Sequence, residues 1–111
     1  MNKLKIVSQP IIFQQKEIRR IWFEDEWWFS VVDVVSVLTD SYDARNYWKV
    51  LKSRLVDEES EVVTFCNQLK IKAKDGKLYL TDCSNVEGLL RIIQSIPSPK
   101  AEPFKRWLAQ V

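Results

Sequence analysis

The stretch from Ser30 to Leu55, SVVDVVSVLTDSYDARNYWKVLKSRL, reads as a short apolar helix, a four-residue turn and a longer helix with a basic outer face. The rest of the chain has to be built around it. Val31, Val34, Val35 and Leu38 fall at the i, i+3, i+4, i+7 spacing that lines four aliphatic side chains along one helical stripe. Ser30 is placed to accept the backbone N–H near Asp33, whose carboxylate suits the positive end of a helix. Five valines also make VVDVVSVL compatible with a strand, because β-branched side chains are stiff at χ1 and suit a pleated sheet. The cap and the position of Asp33 favour the helix.

From Asp43 to Leu55 the period is clearer. Ala44, Trp48, Leu51 and Leu55 share one side, while Arg45, Lys49 and Lys52 follow at i, i+4 and i+7 on the other, joined by Asn46 and Ser53. The connection Thr39-Asp40-Ser41-Tyr42 holds turn formers and has a length compatible with helix-turn-helix geometry. In such a pair the second helix enters the major groove, where arginine and lysine contact guanine and asparagine contacts adenine. An ordinary solvated helix face gives the same stripe, so the charges alone do not decide.

The 111 residues suffice for one domain with its own core, and 46% of them are hydrophobic. Lys+Arg exceeds Asp+Glu by only 17 to 15, so the net charge implies no polyanion partner. The distribution says more. Seven acids lie in two runs, Glu24 to Glu26 and Asp57 to Glu61, whereas eight bases lie in Arg45 to Arg54 and Lys70 to Lys77. Segregation of this kind creates a basic surface on a nearly neutral protein. No apolar run is long enough to span a bilayer, and the amino terminus lacks the apolar region of a secretory signal, so a cytoplasmic protein is expected. Cys66 and Cys83 fit that compartment as reduced core residues, and with no histidine present no Cys/His metal site and no cofactor are expected.

Residues 1–12 read as a lead-in interrupted by Pro10, with the domain proper over 13–111. A hairpin follows, EIRRIWF and WWFSV joined by an acidic turn, with Ile21, Phe23 and Phe29 directed to the core. Trp22, Trp27 and Trp28 could stack on unpaired bases, but a small domain has a stronger need for them as buried area. The second hairpin turns at Asp75-Gly76, a favoured two-residue loop. That loop sets Lys72 opposite Tyr79 and Lys70 opposite Thr81. Leu69, Ile71, Ala73, Leu78 and Leu80 then share the inner face, and Lys70, Lys72, Lys74, Lys77 and Tyr79 the outer one. Lysines facing one another across a sheet repel unless a polyanion meets them, although lysine also protects strand edges from aggregation. The same register separates Cys66 from Cys83, which argues against a disulfide between them.

The carboxyl-terminal third is expected to be helical. Ser84 or Asn85 caps a segment carrying Val86, Leu89, Leu90 and Ile93, and IPSPKAEP breaks it. Pro103 suits the first turn of a last helix with Ala101, Phe104, Leu108 and Val111 on its apolar stripe. No glycine or proline stops that helix before Val111, so a longer natural protein is expected.

Several separate pieces are similar to one family: Phe13 followed by Ile18-Arg19, then Trp28-Phe29 and Asp33-Val34, then Gly76 with Tyr79-Leu80, and finally SPKAEPFKRWL with Ser98, Ala101, Phe104 and Trp107. In this order and spacing they resemble the Bro-N domain, the amino-terminal module of baculovirus Bro proteins and of phage and prophage antirepressors. The resemblance implies an α+β fold and DNA binding. Two departures stand out: Asp25-Glu26 where the family commonly has Asp-Gly, and an extra helix over Ser84 to Ile96.

The expected fold is α+β, two β-hairpins packed with a helix-turn-helix-like pair and carboxyl-terminal helices. The expected function is duplex-DNA binding in an antirepressor-like regulatory protein. In it Arg45, Asn46 and Lys49 lie nearest base edges, and Lys52, Lys70, Lys72, Lys74 and Lys77 lie along phosphates. The alternative is a protein-interaction module that captures a repressor or a partner subunit, which an exposed patch at Trp22, Trp27 or Trp107 would favour, and a homo-oligomer is compatible with either. No small-molecule substrate and no membrane partner are expected. Catalysis is disfavoured, because the acids sit in exposed runs and neither cysteine has a histidine to activate it.

Overall fold

Ser30 ends a strand and starts a helix, and the architecture turns on that change of period. The computed structural model describes residues 7–58 and 66–111, and in it the chain is a mixed α+β fold. Seven strands are present among the described residues: β1 (Val7–Ser8), β2 (Ile11–Phe13), β3 (Lys16–Ile18), β4 (Arg20–Phe23), β5 (Glu26–Ser30), β6 (Cys66–Lys72) and β7 (Leu78–Ser84). The helices are α1 (Val31–Thr39), α2 (Ala44–Asp57), α3 (Val86–Gln94) and α4 (Ala101–Leu108). Five strands form one curled antiparallel sheet in the order β1-β4-β5-β7-β6, and β2 and β3 form a separate hairpin.

The expected helix pair is present. The Ser30 hydroxyl accepts the Asp33 N–H, and the Asp43 carboxylate caps α2 by accepting the Asn46 N–H at 3.1 Å. Val31, Val34, Val35 and Leu38 are buried against Trp48, Leu51 and Leu55. Asn85 rather than Ser84 caps α3, its side chain accepting from Gly88. Val111 lies beyond α4 and is half exposed, so the last apolar stripe ends at Leu108.

Residues 7–12, expected as lead-in, contribute β1 and β2: Val7 pairs with Trp22, and Ile11 with Ile18. The β2–β3 hairpin brings Phe13 edge-on to Phe104 at 5.1 Å and to Trp107 at 5.2 Å, so the beginning and the end of the domain share one aromatic cluster. In the β4–β5 hairpin the turn is Glu24-Asp25, both left-handed, with Phe23 paired to Glu26. Phe23 is therefore a partly exposed residue at the turn rather than a core residue, while Ile21 and Phe29 are buried.

The second hairpin corrects the expected register by one residue. Lys72 pairs with Leu78, Ile71 with Tyr79 and Lys70 with Leu80. The loop has three residues, Lys74-Asp75-Gly76: the Gly76 N–H donates to Ala73, Gly76 is left-handed at φ 84°, and the Ala73 N–H donates to Lys77 to close it. This is a type I turn followed by a bulge, the other loop that Asp-Gly supports. The burial of Cys83 with Ile21, Trp28 and Ile71 chooses it, because alternation along β7 then sends Leu78 and Leu80 to the opposite face. Lys70 and Lys72 thus share their face with Leu78 and Leu80. Lys77 and Tyr79 belong to the face of Ile71. Cys66 pairs with Ser84, and no disulfide joins the two cysteines.

Candidate nucleic-acid interface

Asp82 is the acid that fastens the second hairpin to α2. Its Oδ2 accepts from Trp48 Nε1 at 2.8 Å and from Lys52 Nζ at 2.9 Å, while Gln68 reaches Oδ1 at 3.3 Å. Partial burial pushes this carboxyl upward, but the three hydrogen bonds outweigh it and hold the group below its ordinary range. Asp82 shares the face of Leu78 and Leu80 by alternation, so that face is the one turned toward α2.

An open groove of about 1620 Å³ runs from α2 along both faces of the hairpin, lined by Arg45 and Trp48 from the helix, by Lys70, Lys72, Lys74, Leu78 and Leu80, and on the other side by Ser8, Ile21, Ile71 and Tyr79. Among the described residues neither Glu24 to Glu26 nor Glu58 lines it. Glu61 lies outside the described residues. The groove does contain acids, but most are engaged. Asp33 is paired with Arg19, Asp82 with Lys52, and Asp75 accepts from the Tyr79 hydroxyl and the Lys77 N–H, which lowers its pKa. Glu17 also lines the wall.

The expected site residues therefore divide. Arg45, Lys70, Lys72 and Lys74 come together on this groove. Lys49 is exposed one helical turn beyond Arg45, and Lys77 is exposed just past the hairpin loop. Lys52 sits half-buried with its ammonium against Asp82. Asn46 faces a separate shallow hollow of about 290 Å³ with Tyr47, Val50 and Arg54.

Sequence reasoning did not find the Arg19 joint beside this groove. Arg19 forks onto Asp33 with Nε at 2.8 Å and Nη2 at 2.9 Å, and also reaches Ser30 Oγ and the Lys72 carbonyl. The hydrogen bond to Asp33 raises the guanidinium pKa against the opposing effect of burial. These contacts tie β3, the start of α1 and the end of β6 together. The only sequence signal was the Ile18-Arg19 and Asp33-Val34 pairs of the resemblance.

Similar contacts explain the carboxyl-terminal motif. The Ser98 hydroxyl donates to the Leu38 carbonyl, and Lys100 pairs with Asp40 at 2.6 Å just past α1. Phe104 is buried against Phe13.

The comparison with known families covers the chain from within β3 to its last residue and leaves out β2 and Phe13. Residues 17–111 match Bro-N, the BRO family N-terminal domain. The chain belongs to the Bro-N family. Bro-N domains are found in phage antirepressors and Bro proteins, and the family is not a known catalytic one. No curated protein and no solved structure matches the chain. Among the described residues no group of three or more acids and cysteines could hold a metal ion, and no helix is long and apolar enough to cross a membrane.

Proposed function

We propose that this Bro-N domain is the DNA-binding module of an antirepressor-like regulatory protein and that duplex DNA lies against the groove between α2 and the β6–β7 hairpin. The observation that carries the proposal is that Arg45 and the lysines of residues 70–74 line one groove although they are distant in sequence. Arg45 and Lys49 reach base edges and the phosphates beside them from α2, with Asn46 at the flank. Lys70, Lys72, Lys74 and Lys77 follow the phosphates, and Lys52 stands behind them. A duplex partner is met in the cytoplasm.

Contact with about six phosphates gives a log–log salt slope near −5. Fluorescence anisotropy of a labelled duplex from low to moderate salt measures it. Replacing Lys70, Lys72, Lys74 and Lys77 by glutamate is expected to abolish binding, and weak binding that ignores salt would overturn the proposal.

One observation favours a protein partner as well. Trp22 and Val7 are directly paired across β4 and β1 and are 43% and 45% exposed, with Trp27 beside them. This apolar patch suits a repressor or a second copy of the chain. Co-purification of a protein partner free of nucleic acid supports that reading.

A further inference from the structure

The corrected register leaves one surface that phosphate contact alone does not explain. Leu78 and Leu80 are 54% and 62% exposed, and each stands directly opposite a lysine, Lys72 and Lys70. Single exposed leucines are ordinary on protein surfaces. Two on one face of a two-stranded ribbon, each facing an ammonium group on the neighbouring strand, make a strip with an apolar row beside a basic one. Edge protection accounts for the lysines of β6, which is the outermost strand, but not for leucines on its neighbour.

The opposite face of the ribbon is covered toward its base, where Leu69, Ile71 and Cys83 pack on Ile21 and Trp28, while Tyr79 near its tip is exposed. β7 pairs with β5 only at Cys83 and Ser84. The ribbon from Lys70 to Leu80 therefore projects past the sheet with its lysine–leucine face open to the groove beside α2 and its base fastened to that helix at Asp82.

We infer that this strip is a minor-groove wedge: Lys70 and Lys72 meet the phosphate rims while Leu78 and Leu80 press on the groove floor, and the bound duplex bends. The inference rests on the DNA-binding reading above. With α2 at a major groove, a ribbon fixed to the flank of that helix reaches across the phosphate rim to the adjoining minor groove. That groove is only ~6 Å wide in B-form DNA, and strands spaced ~4.8 Å apart with side chains attached do not enter it until it opens. Opening it with apolar side chains between base steps bends the duplex toward the major groove, a deformation of roughly 20–90°. Flexible pyrimidine–purine steps lower its cost. Guanine adds an amino donor to the minor-groove floor, which leucine would bury without an acceptor. The substrate class is therefore duplex with a deformable, guanine-poor segment beside the major-groove site.

The test is resonance energy transfer across a short duplex labelled at both ends, with anisotropy measured in parallel on the full 111-residue chain. The wild-type chain is expected to raise transfer on binding. Leu78→Ser with Leu80→Ser, both at exposed positions, is expected to keep the circular dichroism spectrum and the salt slope, to lose the rise in transfer and to bind about tenfold more weakly. Replacing A·T by inosine·cytosine in the flanking segment, which leaves the minor-groove floor free of the amino group, is expected to preserve binding, whereas G·C is expected to weaken it. Salt-dependent binding without a change in transfer overturns this inference alone. A double variant that bends DNA as the wild type does also overturns it, and leaves the leucines to a protein partner. Absence of any salt-dependent duplex binding removes both this inference and the reading it rests on.

Discussion

Arg19 and Asp33 meet in a two-pronged ion pair, and the Asp33 Oδ2 that takes the guanidinium also accepts the Arg19 backbone N–H at 2.9 Å. One carboxylate thus holds a strand end and the first turn of α1, with side-chain exposures of 27% and 15% for the pair. Removing only the acid leaves a partly buried guanidinium without its partner, which is the costly way to break such a pair. Asp33→Ala is expected to lower stability by about 3 kcal/mol. Arg19→Lys keeps the charge but loses the fork and is expected to cost about 1 kcal/mol. Urea unfolding measures both, and an Asp33→Ala midpoint equal to the wild type would remove the joint from the account of the fold.

What was legible in the sequence was what neighbouring residues decide. Ser30 and Asp43 cap helices within three residues of themselves, and the spacing of Trp48, Leu51 and Leu55 reports one buried face. The register of the second hairpin was not legible, because Asp75-Gly76 supports both a two-residue and a three-residue loop. The choice is made by Cys83 packing on Ile21 and Trp28, far away in sequence. The same distance hid the bond from Trp48 to Asp82, and with it the fact that Lys52 faces a carboxylate. The β2–β3 hairpin carried no signal at all, since its turn residues Gln14 and Gln15 are left-handed without being glycine or asparagine.

Those left-handed turn residues give a second prediction. Glu24 and Asp25 have φ of 50° and 64°, a conformation strained for glutamate and tolerated by aspartate less readily than by glycine. Glu24→Asn with Asp25→Gly matches the turn and is expected to raise stability by about 1 kcal/mol, or about 4 °C in Tm. Gly76→Ala acts in the opposite sense. Open space surrounds that position, but φ is 84°, so a cost of about 1 kcal/mol is expected from backbone strain alone. Differential scanning calorimetry of the two variants checks both signs.

Asp40 sets a pH dependence. It ends α1 in a left-handed conformation and receives Lys100 and Lys16, each at 2.6 Å, which hold its carboxyl down at about 2. A carboxyl depressed in the folded state contributes stability that is complete above its unfolded pKa, near 4, and disappears as pH falls toward 2. Asn tolerates the same backbone, so Asp40→Asn removes the charge with little added strain. The variant is expected to be less stable than the wild type at pH 6, and the difference is expected to vanish near pH 2. A carboxyl resonance of Asp40 titrating near 4 in the folded protein would contradict this.

Arg45 and Lys52 lie two turns apart on the same basic stripe, yet the groove gives them different work. Arg45 is exposed on the wall, while Lys52 neutralises Asp82 at the base of the ribbon. Each phosphate contact contributes about 0.9 to the magnitude of the salt slope on duplex DNA. Arg45→Ala is therefore expected to make the slope shallower by about one while leaving stability nearly unchanged. For Lys52→Ala the expectation is reversed: the slope is retained, but stability falls by about 1 kcal/mol, because Asp82 keeps its bonds from Trp48 and Gln68 and loses its only cation among the described residues. Anisotropy titrations at several salt concentrations, paired with urea unfolding of each variant, separate the two roles. Equal losses of slope for both would mean that Lys52 leaves Asp82 when DNA binds, with Trp48 still joining α2 to the ribbon.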